Sequence, residues 1–261
     1  MITADNLRNF LKEQYQEILV KEVRIGLGYT GVLLEDGNAG VAYTFKGKFP
    51  EGCSMFIGNR PLAGKTSHKL LDYLGSPETV ESAVGVATAN ALVNRDRGIE
   101  GEGDVLDILK IKETDRVGMV GFFGPVIPSL KKMTRELLIF EQTTARAKGL
   151  FPAENAYQEL PACDVALITS TSLINGTLGS LLDASRKCRE IVLLGASTLL
   201  LPDIFEPLGV TLLSGIIITD APGILQIISE GGGMRFFKGH IQKVNVRLQS
   251  DKLHNAYNRK L

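Results

Sequence analysis

Between residues 117 and 223 the chain repeats one pattern: a short unbroken apolar run that ends in small or polar residues. Val117-Gly118-Met119-Val120 leads into Gly121-Phe122-Phe123-Gly124-Pro125, and Leu137-Leu138-Ile139-Phe140 leads into Glu141. Val165-Ala166-Leu167-Ile168 leads into Thr169-Ser170-Thr171-Ser172, with Asn175-Gly176-Thr177 close behind. Ile191-Val192-Leu193-Leu194 leads into Gly195-Ala196-Ser197-Thr198, and Ile216-Ile217-Ile218-Thr219 into Asp220. Short continuous apolar runs fit strands buried on both faces, which is the condition of a parallel sheet. Such sheets take their ligands outside the carboxyl ends of the strands, where these turns fall.

The spacing predicts strands near 116–121, 137–141, 164–169, 190–195 and 210–219. Helices are expected near 126–135, 154–160, 176–187, 202–208 and 221–230. This alternation makes βαβ units and a mostly parallel sheet in a Rossmann-like three-layer domain. Gly231-Gly232-Gly233 ends the last helix, Phe236 to Leu248 can add an edge strand, and the polar tail from Gln249 is expected to fray.

The first third reads differently. Leu7, Phe10, Leu11, Tyr15, Ile18 and Leu19 share one face of a helix over 4–19, started by Thr3 or Asp5. Residues 20–34 read as one strand, with Gly26, Gly28 and Gly31 marking bulges or close backbone approach. Asp36-Gly37-Asn38 turns it into a second strand over 40–45. A helix over 61–74 follows, then one with Ser76 as N-cap and Pro77 at its first position. That second helix has a small-residue face, Ala83, Ala87 and Ala91, so something packs closely on it. The polar, glycine-bearing segment 94–103 is taken as the boundary between an α+β domain, 1–98, and the Rossmann-like domain, 99–261.

Charge excludes some functions. Lys plus Arg and Asp plus Glu are equal at 29 each, which gives no support for nucleic-acid binding. No apolar run approaches the roughly 20 residues of a membrane span. The polar N-terminus lacks the apolar core of a signal peptide, so a cytoplasmic location is expected. Cys53, Cys163 and Cys188 are scattered, as are His68, His240 and His254, so no soft-metal spacing is present and buried structural thiols are expected.

The strand-end turns supply the candidate binding residues. Gly121, Phe122, Phe123 and Gly124 occupy the place of a phosphate loop, but Gly118, Gly121 and Gly124 recur at period three. Pro125 also removes a backbone N–H. The two phenylalanines can instead cover a flat ring or pack inward. Glu141 lies 20 residues after Gly121, where such folds place an acid for ribose hydroxyls. Asn175, with Gly176 and Thr177, opens a helix as its cap or as a ligand contact, and Thr169 and Ser170 add hydroxyls. Gly195, Ser197 and Thr198 follow the fourth strand, but no histidine lies beside them to activate a serine. Asp220 is a helix cap or a base at the rim. From the first domain, Tyr29, Thr30, Lys65, His68 and Asn90 are candidates to reach the cleft, Lys65 and Asp220 for proton transfer. Gly64-Lys65-Thr66 is not a P-loop, since position 59 is Asn where the upstream glycine belongs.

Val-Gly-Met-Val-Gly-Phe-Phe-Gly-Pro, the strand ending in Glu141, Asp-Val-Ala-Leu-Ile-Thr-Ser-Thr-Ser-Leu-Ile-Asn-Gly-Thr, Leu-Leu-Gly-Ala-Ser-Thr and Gly-Val-Thr-Leu-Leu-Ser-Gly together resemble the putative heavy-metal chelation family. Thr88-Ala89-Asn90-Ala91-Leu92 resembles the end of that family's first domain. Gly195-Ala196-Ser197-Thr198 departs from an expected Gly-Pro-Ser-Thr. The resemblance implies an enolase N-terminal-like domain joined to a Rossmann-like one, a site between them, and a role in metal chelation through a pterin-, flavin- or siderophore-like compound. Three functions are then open: an enzyme that condenses or hydrolyses such a compound, a non-catalytic binder of a metal chelate or metabolite, and a methyltransferase-like protein using S-adenosylmethionine. No cofactor is fixed by these residues; a metal ion or a metal-chelating organic ligand is compatible with the resemblance, a small-molecule ligand is the expected partner, and a homodimer the expected assembly.

Overall fold

The structure, a computed structural model, describes residues 2–45, 54–95, 103–143 and 148–248. The expected fraying tail, Cys53, His254 and most of the segment 94–103 lie outside them. Thr3 starts helix α1 (Ala4–Gln14) by accepting from Asn6 N at 3.1 Å, and Leu7 and Leu11 are its buried face. The helix stops earlier than the expected residue 19, because the chain turns extended at Tyr15 and Leu19 bridges to Thr66.

Strands β1 (Val20–Ile25), β2 (Tyr29–Leu34) and β3 (Ala39–Tyr43) form an antiparallel meander in sequence order. The single strand expected over 20–34 is therefore two, folded at Gly26-Leu27-Gly28, where Gly26 N donates to Tyr29 O at 2.9 Å. Helix α2 (Ser67–Leu71) is shorter than expected, with Thr66 as its cap. Helix α3 (Thr79–Val93) starts after the expected cap: Ser76 instead accepts from Glu78 N at 3.2 Å and donates to Glu81 at 2.7 Å. Every residue of α3 from Ser82 to Val93 is buried, so it has no solvent face. Its small residues admit β3 very closely: a Cβ on Gly40 would lie 2.2 Å from Ala91 N.

After the short helix α4 (Val105–Ile108) comes a seven-stranded sheet. Its strands are β4 (Arg116–Val120), β5 (Glu136–Glu141), β6 (Phe151–Pro152), β7 (Val165–Thr169), β8 (Glu190–Leu194), β9 (Leu212–Ile218) and β10 (Ile241–Arg247). They are ordered β10-β9-β8-β7-β4-β5-β6. Only β10 is antiparallel to its neighbour. The connecting helices are α5 (Ile127–Met133), α6 (Ala156–Glu159), α7 (Leu178–Ala184), α8 (Pro202–Phe205) and α9 (Ala221–Ser229). Alternate strand residues serve opposite faces. Val117, Met119, Val165 and Leu167 pack with Ile127 and Leu130 of α5, while Val120, Ala166 and Ile168 share a core with residues of α6, α7 and α8. The result is the expected α/β architecture, a mostly parallel sheet between helical layers joined to a small α+β unit.

Two features position the site. The chain runs from β4 to β5 and β6 on one side, then crosses to β7 on the other side of β4. A doubly wound sheet has its ligand crevice at such a switch, here outside the carboxyl ends of β4 and β7. The meander also closes onto the sheet's far end, where α9 packs against β1 and β2. No helix among the described residues is long and apolar enough to cross a membrane.

Candidate functional site

A cleft of about 550 Å³ opens at the switch between β4 and β7, a size suited to a small organic ligand. Gly121, Phe122 and Phe123 form one wall, Phe140, Glu141 and Gln142 a second, and Thr169, Thr171, Ser172, Asn175 and Thr177 a third. Glu154 and Tyr157 close one end, and Tyr43, the last residue of β3, with Phe45 just beyond it, brings the meander to the rim. Five of the lining aromatic side chains reach the surface, Tyr43, Phe45, Phe122, Phe123 and Tyr157, while Phe140 is fully buried in the core.

Local geometry explains the turns. Gly121 has φ +94°, a left-handed conformation, and a Cβ there would press to 3.0 Å from Thr169 Cβ; only glycine fits without strain. Its position also faces the Phe123 ring, which reaches across to Gly195. Asn175 was expected to cap α7; the cap position is instead Thr177, whose N–H and hydroxyl both donate to Asn175 Oδ1, at 3.2 and 2.7 Å. Glu141 Oε1 accepts from Gln142 N at 2.8 Å.

The other candidates stand elsewhere. Gly124, Gly176 and Gly195 shape the turns without lining the cleft. Ser170 and Thr198 are buried and bonded to each other at 2.7 Å. Ser197 is buried and accepts from Tyr43 N at 2.9 Å, which fixes the meander over the cleft. Thr30 is buried against Thr44 at 2.9 Å, and Asn90 donates to Val41 O at 2.9 Å inside the core. Tyr29 packs edge-on against Tyr43 and Phe237, and burial, helped by Tyr43, pushes its hydroxyl up from the usual phenol range. Lys65 reaches the Asn59 carbonyl, and His68 bonds to the Tyr15 carbonyl at 3.0 Å. Asp220 caps α9 through Gly223 N at 3.1 Å and pairs with His240 at 2.7 Å. Those two contacts, the Gly223 N–H first, hold its carboxyl below the usual range. Neither proton-transfer candidate, Lys65 or Asp220, lines the cleft.

Two family models, both described as putative heavy-metal chelation, match residues 8–93 and 104–247. The chain belongs to this putative heavy-metal chelation family. An uncharacterised protein of Methanocaldococcus jannaschii is 26% identical over 250 residues, spanning 92% of this chain and 95% of that one. The fold is similar to the crystal structure of a DUF364-family protein of unknown function from Pyrococcus horikoshii, at TM-score 0.80 and 23% identity, covering 94% of this chain and 98% of that one. A second, from Desulfitobacterium hafniense DCB-2, superposes at TM-score 0.75 and 25% identity, covering 94% and 96%.

The family description raises the question of a metal. Soft metals take thiolate and imidazole ligands. Cys163 and Cys188 are buried, their thiols pushed up to about 11 and about 12 by that burial, and both donate to backbone carbonyls. His68 and His240 have the partners given above. Among the described residues, no group of three or more His, Cys, Asp or Glu could hold a metal ion. The described side chains do not fit a soft heavy metal held by protein ligands alone.

Tyr43, Phe45, Gln142, Glu154 and Tyr157 are cleft residues that the sequence reading missed. Tyr43 and Phe45 carry a signal in hindsight: they are aromatic residues two apart in the strand expected over 40–45, which puts them on one face of it.

Proposed function

We propose that the protein binds a small organic metal chelator, pterin-, flavin- or siderophore-like, in the cleft between the meander and the parallel sheet, and condenses or hydrolyses it there. The observation that carries this reading is the cleft itself. Five aromatic side chains that reach the surface, Tyr43, Phe45, Phe122, Phe123 and Tyr157, surround a space of about 550 Å³ whose rim is set with the carboxylates of Glu141 and Glu154 and the amides of Gln142 and Asn175. Aromatic walls stack a planar ring, while carboxylates and amides read its polar edge. The chelator then supplies the metal ligands that the described side chains do not.

A second reading, a non-catalytic binder of a metal chelate, has an observation of its own. Ser170, Ser197, Thr198 and Asp220 are committed to scaffold hydrogen bonds, which removes the hydroxyls and the acid most suited to chemistry. The balanced charge supports a small-molecule partner over nucleic acid. Thermal unfolding with saturating pterins, flavins, siderophores, S-adenosylmethionine and NAD tests both readings, because a bound ligand at 100 times Kd stabilises by about 2.7 kcal/mol. Stabilisation by a chelator-like ring is expected. Mass analysis of the incubated ligand then separates enzyme from binder: a new product supports the enzyme, and unchanged ligand supports the binder. Stabilisation by S-adenosylmethionine alone would overturn both in favour of a methyltransferase-like protein.

A further inference from the structure

One amide in the cleft has its orientation fixed by the scaffold. The Tyr43 and Tyr157 hydroxyls can rotate, and each can donate or accept. Asn175 has no such freedom. Gly176, at φ +73°, makes the turn that folds Thr177 back onto it. Asn175 Oδ1 then accepts from both the backbone N–H and the hydroxyl of Thr177, at 3.2 and 2.7 Å. A backbone N–H can only donate, so the amide atom beside it must be the oxygen. The flipped amide would set one donor against another. The Thr177 N–H is itself held by a second acceptor, the Ser172 carbonyl at 3.0 Å.

Both side-chain hydrogen bonds of Asn175 end on Oδ1, which leaves Nδ2 and its two N–H groups for a ligand. Phe122 and Phe123 stand on a different wall of the cleft, where they can cover a ring face. With the face taken there, the Asn175 wall is left to meet the ring edge. An exocyclic oxygen lies at that edge, and a carbonyl accepts near its own plane. An amino group at the same position would bring a donor to a donor.

Resting on the chelator reading above, we propose that Asn175 Nδ2 donates to a carbonyl oxygen on the ring edge of the bound compound, so that the cleft selects oxo-substituted heterocycles over their amino counterparts. Thr177 is the positioning residue: it touches no ligand in this role and holds the Asn175 amide the right way round.

Calorimetric titration of the full-length protein at pH 7 tests this with pterin and 2,4-diaminopteridine, which has an amino group in place of the ring carbonyl. Pterin is expected to bind at least tenfold more tightly, because the amino compound leaves a donor unpaired on both sides. Asn175→Asp keeps the oxygen that accepts from Thr177 and turns the donor into an acceptor of nearly the same shape. It is expected to lower the preference for pterin at least tenfold. Thr177→Val, which loses the hydroxyl, should narrow the preference several-fold, and Thr177→Ser should restore it. A merely structural role for Thr177 would change the unfolding temperature, measured for every variant, and leave the preference alone. Equal binding of the two compounds to the unmodified protein, or an unchanged preference in folded Asn175→Asp, overturns the assignment and leaves the chelator reading standing. An unchanged preference in folded Thr177→Val overturns the positioning role. Binding of neither compound overturns the assignment, and if riboflavin and a catecholate siderophore also fail to bind, the chelator reading falls with it.

Discussion

Asp115, in the turn before β4, has a side chain only 3% exposed, yet it carries charge. Arg189 donates to both its carboxylate oxygens, at 3.1 and 2.8 Å, and Lys112 N donates at 2.7 Å. The Arg189 guanidinium, reinforced by the Lys112 amide, holds the carboxyl below its usual range. A carboxyl depressed in the folded state stabilises at pH values above its unfolded value, near 4, and loses that contribution as pH falls through the folded value. Asp115→Asn is therefore expected to cost about 1–3 kcal/mol at pH 7, the scale of a charged hydrogen bond left incomplete. The loss should shrink below about pH 4, and urea midpoints across pH measure it. The cysteines give a second expectation at this scale. With their thiols raised to about 11 and about 12, Cys163 and Cys188 should stay unreactive towards a thiol reagent at pH 8 in a Cys53→Ser variant until the protein unfolds.

Elements show where the sequence was legible. The strands of the parallel sheet could be read because burial on both faces writes unbroken apolar runs, and the turns after them were found for the same reason. The meander was harder: Gly26-Leu27-Gly28 has the composition of a bulged strand, and only the approach of α9 shows why it folds into a hairpin. Helix boundaries drifted at α3, where Ser76 serves a turn before the helix and not its first residue. The candidate site was legible on the sheet side alone, because the spacing of Tyr43 and Phe45 puts them side by side but only tertiary packing brings them to the cleft. Helix α3 offers a direct check on how close that packing is. A Cβ at Gly40 would sit 2.2–2.7 Å from α3 backbone atoms, whereas one at Gly37 meets nothing but must adopt φ +88°. Gly40→Ala is expected to destabilise by about 3 kcal/mol or more, the upper range of overpacking, and Gly37→Ala by about 1–2 kcal/mol from backbone strain. Chemical denaturation of the two variants should preserve that order.

At the scale of the whole molecule, the two family-matched regions are stitched together rather than merely adjacent. One hydrophobic cluster includes Leu7, Leu34 and Leu92 along with Val120, Ile168 and Leu213. Asn94, just past α3, is buried and donates to Thr198 O at 2.8 Å and Ile216 O at 3.2 Å, while accepting from Leu200 N at 2.8 Å. The polar segment taken as the domain boundary thus begins with a structural clamp. Heat should unfold the protein in one transition whose calorimetric and van't Hoff enthalpies agree. Asn94→Ala, which leaves three buried backbone groups without partners, should lower stability by about 2–4 kcal/mol. Two separated transitions would show that the clamp does not couple the halves. The seat of the hairpin on α9 has a consequence for how the molecule is made. A Cβ on Gly26 would lie 2.3 Å from the Ile228 carbonyl oxygen, so the hairpin rests on backbone about 200 residues further along the chain. At about 5–20 residues per second, a ribosome takes roughly 10–40 s to supply that support after the hairpin emerges. During that interval β2, buried along nearly its whole length in the finished protein, has no cover from α9, and a chaperone that shields nascent apolar strands would find a target there.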